Sequence, residues 1–332
     1  MRPPLPPDLE PFWSAALIVG EPVVFIAEHD EDTAAHLLFP PDEALTATDR
    51  IGQVRYREGT DYVLLREAGR IIRCAGSRIP FVRRDELATE TPADVDRRQV
   101  IVTYGRKNAP WTGPVPGAAP AHLPRTQERL RLGQPLTIAV LGDSISEGYD
   151  SSGFRGVAPH QPPYATLVAD GVQQQTGAPV TLRNFAAAGS TAEDGRWVAA
   201  DAAAQVPDLV VVAFGMNDAC YADADEFAAS LLAIIERVGD TAAEAEFLLV
   251  TPMLPAPATT WVEHARFPAY REAMQALVRP GIALADVMTM WEAVLTRKDP
   301  QDLSGNGSNH PNDFGHRLYA QVILERLLAS RP

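Results

Sequence analysis

Two residues in the second half of the chain have the chemistry of a nucleophile and its base. Ser144 lies in Gly-Asp-Ser directly after an apolar run, and His310 lies in Ser-Asn-His-Pro near the C-terminus. A serine hydroxyl is too weakly ionised at neutral pH to attack a carbonyl unless a neighbouring base accepts its proton. A serine in a tight turn between a strand and a helix is exposed and close to backbone amides. These two residue types are those that acyl transfer requires, a hydroxyl that attacks and an imidazole that serves as general base.

Two further clusters contain donors for the negative charge that such an attack creates. Gly189 follows the next apolar run, and Asn217 follows the one after it, within Gly-Met-Asn-Asp. A bare backbone N–H and an asparagine amide both stabilise a developing oxyanion, and removing one such donor costs roughly 2.7–4 kcal/mol. We expect the N–H groups of Ser144 and Gly189 and the amide of Asn217 to form an oxyanion hole.

Each cluster also has a purely structural interpretation when it is taken alone. Gly-Asp-Ser is a common turn, Ser190 or Thr191 can cap the helix that follows, and Asn217 can form a turn with its own backbone. His316, which follows His310 closely, is interpreted as structural. The prediction rests on the clusters occurring together and in this order.

The elements that must position these residues alternate between strand and helix from residue 136 onward. Continuous apolar strands are typical of a parallel sheet covered on both faces, and such a sheet binds its ligand at the carboxyl ends of the strands. The predicted strands are residues 136–141, 180–185, 209–214, 246–251 and 282–285, and the predicted helices are residues 164–174, 191–205, 224–238, 262–278 and 312–329. Because Ser144, Gly189 and Asn217 follow the first three strands, we expect them to meet at one edge of the sheet.

The first hundred residues have a different pattern, in which short apolar or alternating runs are separated by Pro, Gly and Asp. This pattern is typical of a sandwich or jelly roll. The predicted strands are residues 16–19, 22–26, 34–39, 53–56, 61–65 and 70–74. A Pro- and Gly-rich stretch follows, which favours an extended linker. We predict a β-sandwich accessory domain at residues 1–108, a linker at 109–134 and a catalytic domain at 135–332.

Taken in order, the four clusters resemble the sequence blocks of the SGNH hydrolases, also called GDSL esterases. The resemblance covers residues 135–330 and carries the family's nucleophile to Ser144, its oxyanion donors to Gly189 and Asn217, and its base to His310. It implies a flavodoxin-like three-layer α/β/α fold for the second half. The first half is similar, more loosely, to the β-sandwich domain ahead of some carbohydrate-active members.

One position departs from the family pattern. The family's acid usually lies three residues before the histidine, and that position is Gly307 here. Asp302 is the nearest upstream carboxylate, and the glycines at 305 and 307 would let the loop bring it back to His310. We expect Asp302 to be the catalytic acid, with a main-chain carbonyl or another carboxylate as the alternatives.

Composition narrows the possible partners. The net charge is −14, and residues 135–332 contain 12 basic and 24 acidic side chains, which repel nucleic acid and anionic membranes. The two cysteines, Cys74 and Cys220, form no metal-type spacing, and neither a signal peptide nor a membrane-spanning apolar run is present in the sequence. We expect a cytoplasmic protein with no metal or organic cofactor and no nucleic-acid or membrane partner.

The resemblance implies a serine esterase that hydrolyses small acyl esters, and the β-rich first half favours acetyl groups on carbohydrates, including oligosaccharides. Trp111, Trp197 and Trp261 are candidates for stacking on sugar rings. The alternative is a lipolytic short-chain esterase or a thioesterase, and a more distant one is a binding protein without catalytic activity.

Overall fold

The computed structural model describes residues 5–27, 33–89, 91–106 and 109–328. Its N-terminal region is rich in strands, as predicted. In chain order these are β1 Leu17–Val23, β2 Ile26–Ala27, β3 Ala34–His36, β4 Pro41–Asp49, β5 Arg55–Tyr56, β6 Tyr62–Leu65, β7 Arg70–Arg73, β8 Val82–Arg83 and β9 Val100–Arg106. One sheet has the order β1-β9-β4-β5 and the other has the order β6-β7-β3-β2-β8. The pairings are antiparallel except between β2 and β8.

Short helical segments complete this region. Helix α1, Pro92–Arg98, begins with a capping box in which the side chains of Thr91 and Asp94 each bind the other's backbone N–H. Two 3₁₀ segments lie at Arg66–Ala68 and Arg84–Thr89. Helix α1 leads directly into β9. This strand lies between β1 and β4 in its sheet, and alternate side chains along it are buried.

The predicted linker is only partly irregular. Residues 109–123 form no strand or helix, but α2, Pro124–Leu132, occupies most of the remainder. The segment is packed rather than free, since Ala119, Leu123 and Leu130 are buried. A proline at the first turn and Gly133 in a left-handed conformation at the end explain the bounds of α2.

The second half is built around a five-stranded parallel sheet. Its strands are β10 Leu136–Gly142, β11 Val180–Asn184, β12 Leu209–Ala213, β13 Glu246–Val250 and β14 Ile282–Ala285. The strand order is β11-β10-β12-β13-β14, and each adjacent pair is parallel. This is the flavodoxin-like order, and the five strands predicted for the second half are confirmed with ends within one residue.

Helices cover both faces of this sheet, which gives the predicted three-layer arrangement. They are α3 Ser144–Glu147, α4 Tyr164–Thr176, α5 Ala192–Ala203, α6 Ala224–Gly239, α7 Arg266–Ala276, α8 Val287–Leu295, α9 Pro300–Leu303 and α10 Asp313–Leu327, with a 3₁₀ segment at Asp218–Cys220. Helices α5, α6 and α7 pack in one group, and α4, α8 and α10 in another. No helix within the described residues is long and apolar enough to cross a bilayer.

The two halves share one apolar core. Phe12 contacts Trp111 edge to face, with ring centroids 5.1 Å apart, and its ring lies 6.3 Å from that of Phe314 at the start of α10. Trp111 also contacts Phe39. This packing partly buries Trp111, one of the three candidates for sugar stacking. The N-terminal sheets are therefore held directly against the elements that follow His310.

Candidate active site

Ser144 lies at the carboxyl end of β10, the strand between β11 and β12 in the parallel sheet. It is the first residue of α3, which Asp143 caps by accepting a hydrogen bond from the Ile145 N–H at 2.9 Å. Ser144 is 5% exposed. The strand-to-helix turn thus holds the hydroxyl at the sheet edge where parallel sheets bind ligands.

His310 reaches Ser144 from the loop between α9 and α10. Its Nε2 atom lies 2.9 Å from Ser144 Oγ, a hydrogen-bond distance. The loop is closed at its base by a bridge between Ser304 and Pro311, and the Gly305 N–H donates to the His310 carbonyl at 2.9 Å. The structure therefore brings together the predicted nucleophile and the predicted base.

The group that orients His310 is Asp150, which the sequence analysis did not single out. Asp150 Oδ2 lies 3.0 Å from His310 Nδ1. An ionised carboxylate only accepts hydrogen bonds, so Nδ1 must carry the proton and Nε2 is left with a free lone pair. In this tautomer, His310 can accept the proton of Ser144.

Asp302 is not near His310, and the structure corrects its predicted role. Its buried carboxylate accepts the Val24 N–H at 2.6 Å and the Asp299 N–H at 3.1 Å, and it lies 3.3 Å from Lys298 Nζ. Asp302 is the third residue of α9 and forms a capping box with Asp299, the residue that caps the helix. Since Nδ1 of His310 faces Asp150, the main-chain carbonyl alternative is also not realised.

Asn306 is a second residue that sequence reasoning missed. Its Oδ1 accepts the N–H groups of Ser308, Asn309 and His310 at 2.9 to 3.2 Å, which fixes the curvature of the loop. This bonding also fixes the orientation of the amide, so Nδ2 is the atom found 3.1 Å from His310 Nδ1. Two donors cannot bond one another, and Nδ2 instead donates to Asn309 Oδ1 at 3.0 Å.

The loops that carry Gly189 and Asn217 are bonded to one another and to α3. Asn217 Nδ2 donates to the Ser190 carbonyl at 2.9 Å, and the Ala188 N–H donates to Glu147 Oε2 at 2.7 Å. Gly189 is exposed and has φ +82°, a conformation that favours glycine. One amide proton of Asn217 remains for a ligand. The predicted oxyanion donors therefore lie on adjoining loops around Ser144.

Two buried carboxyl groups lie beneath these loops. Burial and, to a smaller extent, the negative charge of Asp218 raise the pKa of Asp143 to about 7, although the hydrogen bond from the Ile145 N–H lowers it. Burial raises the pKa of Asp218 to about 6. Asp218 Oδ1 accepts the Ala192 N–H at 2.8 Å, but its Oδ2 has no hydrogen-bond partner among the described residues. Burial thus disfavours the charged form of both groups.

His316 has a structural role, as predicted. It is fully buried in the first turns of α10, and burial lowers its pKa. Its Nδ1 accepts the Tyr164 N–H at 3.3 Å, so its Nε2 carries the proton and donates to the Tyr149 carbonyl at 2.9 Å. His316 thereby fixes the residue next to Asp150.

Aromatic side chains lie on two sides of the site. The Tyr149 ring is 5.2 Å from that of His310 and 4.9 Å from that of Phe154, which is 44% exposed. On the other side, Trp261 is 47% exposed and its carbonyl accepts from Cys220 Sγ. The segment around Trp261 also binds the loop of His310, because the Ala256 N–H donates to the Ser308 carbonyl.

The side chains at the site are joined by hydrogen bonds. No group of three or more His, Cys, Asp or Glu side chains within the described ranges is arranged to hold a metal ion. The arrangement instead provides a hydroxyl, an imidazole and a carboxylate in one hydrogen-bonded series, with amide donors beside the hydroxyl. Such a constellation can form and resolve a covalent acyl intermediate.

Comparison with known sequences identifies a family. The sequence profile described as the GDSL-like Lipase/Acylhydrolase family matches residues 140–318, which is more than half of the chain. The match includes Ser144, Asp150 and His310. A search of curated proteins found no match.

Solved structures give more distant similarities. The chain is similar to a two-domain esterase active on acetylated mannans, co-crystallised with mannopentaose, at 23% identity and a TM-score of 0.49 over 62% of this chain and 53% of that one. It is also similar to a member of the lipolytic G-D-S-L family from Veillonella parvula (18% identity, TM-score 0.45, 57% of this chain and 96% of that one covered) and to the acetyl xylan esterase AlAXEase (20% identity, TM-score 0.44, 57% and 98% covered). The alignment spans about half the length of the two-domain esterase.

Proposed function

Because the chain belongs to the GDSL-like lipase/acylhydrolase family, we propose that it is a serine esterase whose catalytic triad is Ser144, His310 and Asp150. The observation that carries this proposal is the continuous series of contacts from Ser144 Oγ to His310 Nε2 at 2.9 Å and from His310 Nδ1 to Asp150 Oδ2 at 3.0 Å. This geometry gives each residue a distinct task in acyl transfer.

In the first half-reaction, His310 Nε2 accepts the Ser144 proton while Oγ attacks the ester carbonyl. The imidazolium that forms is stabilised by Asp150, which keeps its charge and does not take the proton. The new oxyanion accepts hydrogen bonds from the N–H groups of Ser144 and Gly189 and from the Asn217 amide. His310 then gives its proton to the leaving alcohol, and the acyl group remains on Ser144.

In the second half-reaction, water takes the place of the alcohol. His310 Nε2 accepts a proton from the water as it attacks the acyl-enzyme, and the same donors bind the second oxyanion. Collapse of this intermediate releases the carboxylic acid, and His310 returns the proton to Ser144 Oγ. Apart from the ester and the water, each group in this cycle belongs to the chain itself.

We propose acetyl esters of carbohydrates as the substrate class. Trp261 and Phe154 are partly exposed on segments bonded to the loops of His310 and Asn217, and Tyr221 follows the Asn217 loop with 76% of its surface exposed. Exposed rings of this kind stack on sugar faces. Trp197 is also exposed, on α5. The competing candidate, a short-chain lipolytic esterase, is favoured by the same exposed apolar rings.

The test measures p-nitrophenyl acetate hydrolysis by the wild type and by Ser144→Ala. We expect Ser144→Ala to lose nearly all activity, and a serine-directed phosphonate to label Ser144 in the wild type. Retention of more than a few per cent of activity would contradict the assignment, and no activity in either protein would favour a binding protein.

Substrate class is tested separately, with acetate release from acetylated oligosaccharides and a p-nitrophenyl series from acetate to octanoate. Faster turnover of the sugar esters together with a steep loss beyond acetate supports a carbohydrate acetylesterase. An increase in kcat/KM with chain length supports the lipolytic alternative instead.

A further inference from the structure

Helix α1 and the residue after it contact both loops that carry the proposed acid and base. On the acid side, Asp96 Oδ1 lies 2.8 Å from Arg155 Nη1 and 2.6 Å from Arg50 Nε. Arg155 belongs to the connection that follows α3 and contains Asp150, and its N–H donates to the Ser151 carbonyl at 3.1 Å. An N-terminal carboxylate is therefore bonded to the loop of the acid.

On the base side, Gln99 donates from Nε2 to the Ser304 carbonyl at 2.6 Å, and both residues are buried. Ser304 is the start of the closed loop that carries His310. Its hydroxyl lies 3.1 Å from the His310 carbonyl and accepts the Ser308 N–H at 3.1 Å. Gln99 thus holds Ser304, whose hydroxyl in turn bonds two other residues of the His310 loop.

A third contact comes from the apolar side of the same helix. Val95 is 2% exposed and packs against Gly307, where an added Cβ would lie 3.0 Å from Val95 Cγ2. Gly307 is three residues before His310. The side chains of Val95 and Gln99 therefore contact the loop that carries His310, and the side chain of Asp96 contacts the connection that carries Asp150.

We infer that helix α1 positions the Asp150–His310 pair for catalysis, with Asp96 and Gln99 as positioning residues that do not touch the substrate. The inference rests on the proposed function, because it concerns the geometry of that triad. Asp150 and His310 lie on loops that are 160 residues apart in sequence. A common support on both loops keeps the distance between Nδ1 and Oδ2 constant, and a misplacement of about 1 Å in such a site can cost about 100-fold in rate.

The test uses Asp96→Asn, Arg155→Gln, their double variant and Gln99→Leu in the full chain. We expect each to lower kcat for p-nitrophenyl acetate by about tenfold or more with KM nearly unchanged, because the chemistry and not binding is disturbed. The rate of labelling by a serine-directed phosphonate should fall in parallel. The double variant should lose little more kcat than Asp96→Asn alone, because both substitutions break the same ion pair. Arg155→Lys, which keeps the positive charge, should have higher kcat than Arg155→Gln.

Arg129→Gln is the matched control. Arg129 pairs with Asp208 at 2.9 Å with comparable exposure, but Asp208 precedes β12 and so lies at the opposite edge of the sheet. This variant should lose stability without losing kcat. If the Asp96 and Arg155 variants, once folded, keep wild-type kcat as Arg129→Gln does, the inference is overturned.

Failure of the inference differs from failure of the proposed function. Loss of activity in Ser144→Ala together with unchanged kcat in the α1 variants removes only the role of α1. If Gln99→Leu does not fold, the pair Asp96 and Arg155 decides, because their side chains are 21% and 28% exposed and tolerate substitution better than a buried amide.

Discussion

Asp150 Oδ2 lies 3.0 Å from His310 Nδ1, and the acid of the proposed triad therefore comes from the connection directly after α3, the helix that begins with the nucleophile. Asp150 has φ +64°, a left-handed conformation that costs a non-glycine residue of order 1–3 kcal/mol. Strain of this kind persists where the surrounding contacts hold a residue in place. Here the contacts are the His316 bond to Tyr149 and the close packing of Asp150 against the His310 loop.

Asp150→Asn should lower kcat by about 10²–10⁴-fold, because an amide can present its own N–H to Nδ1 and favour the wrong imidazole tautomer. KM for p-nitrophenyl acetate should change much less than kcat. Steady-state kinetics over a range of substrate concentrations give both values. Activity within about threefold of the wild type would remove Asp150 from the mechanism and leave His310 as the base of a dyad.

Gly305→Ala should also lower kcat, although residue 305 has no catalytic group. An added Cβ would lie 2.4 Å from Asp150 Cβ, closer than nonbonded carbons approach. Asp150 would have to move away from His310, and we expect a loss of about 10-fold to 100-fold in kcat from such a displacement. The measurement is the same kinetic assay on the folded variant.

Gly239→Ala is the control for that substitution. Gly239 ends α6, and an added Cβ there would meet nothing within 4 Å. Alanine is the better helix former by about 1 kcal/mol, so this variant should keep kcat and gain slightly in thermal stability. Equal kcat values for the two variants would show that the absence of a side chain at residue 305 does not set the position of Asp150.

The strands and three of the site loops were predictable because their signals are local. An apolar run followed by a polar turn predicts a buried parallel strand and the loop at its carboxyl end, which is where Ser144, Gly189 and Asn217 lie. The position of Asp150 is different. It depends on how the connection after α3 returns against a loop near the C-terminus, on a left-handed aspartate, and on the absence of a side chain at Gly305.

The prediction for Asp302 failed although the sequence held a signal against it. Asp299 followed by a proline, with an acid three residues after Asp299, is typical of a helix start with a capping box. The structure has this arrangement at α9. The same kind of signal, Thr91 before Pro92 and Asp94, also marks α1, which the strand-based interpretation of the first half overlooked.

Asp302→Asn should lower stability rather than kcat. Asp302 lies 3.3 Å from Lys298 Nζ, which is 2.7 Å from Glu21, and all three side chains are buried. Breaking a buried ionic group by removing one partner costs about 3–5 kcal/mol; the retained Glu21 places our expectation near the lower value. Urea unfolding measures this loss, and kcat of the folded variant should stay within about threefold of the wild type.

Asp299→Asn is the matched control for Asp302→Asn. Asparagine caps a helix as well as aspartate, and the pair of Asp299 with Arg84 is partly exposed and worth about 1 kcal/mol or less. The two substitutions lie three residues apart on the same helix start. If both cost the same stability, the ionic group around Lys298 is not what Asp302 contributes.

Asn217→Ala should lower kcat by about 10²–10³-fold with a smaller effect on KM, since an oxyanion contact forms mainly in the transition state. The substitution also removes the 2.9 Å bond to the Ser190 carbonyl, which helps hold the Gly189 loop. Kinetics with p-nitrophenyl acetate separate the two parameters. An effect confined to KM would assign Asn217 to substrate binding.

Asp218→Asn should make the protein less sensitive to alkaline pH. Burial raises the pKa of Asp218 from 3.8 to about 6, so the folded state binds this proton more tightly than the unfolded state. The stability that this proton provides is complete below about pH 4 and is lost as pH rises through about 6, a change on the order of 3 kcal/mol.

A neutral asparagine at position 218 does not titrate. Unfolding free energies from urea titrations at pH 4.5 and pH 8 should therefore show the variant gaining on the wild type at the higher pH. Because the substitution also removes the charge that helps raise the pKa of Asp143, the difference between the two proteins reports Asp218 together with its effect on Asp143. If the difference in stability between wild type and variant is the same at both pH values, Asp218 is ionised in the folded protein at both, and the buried carboxyl beneath the Asn217 loop is not neutral.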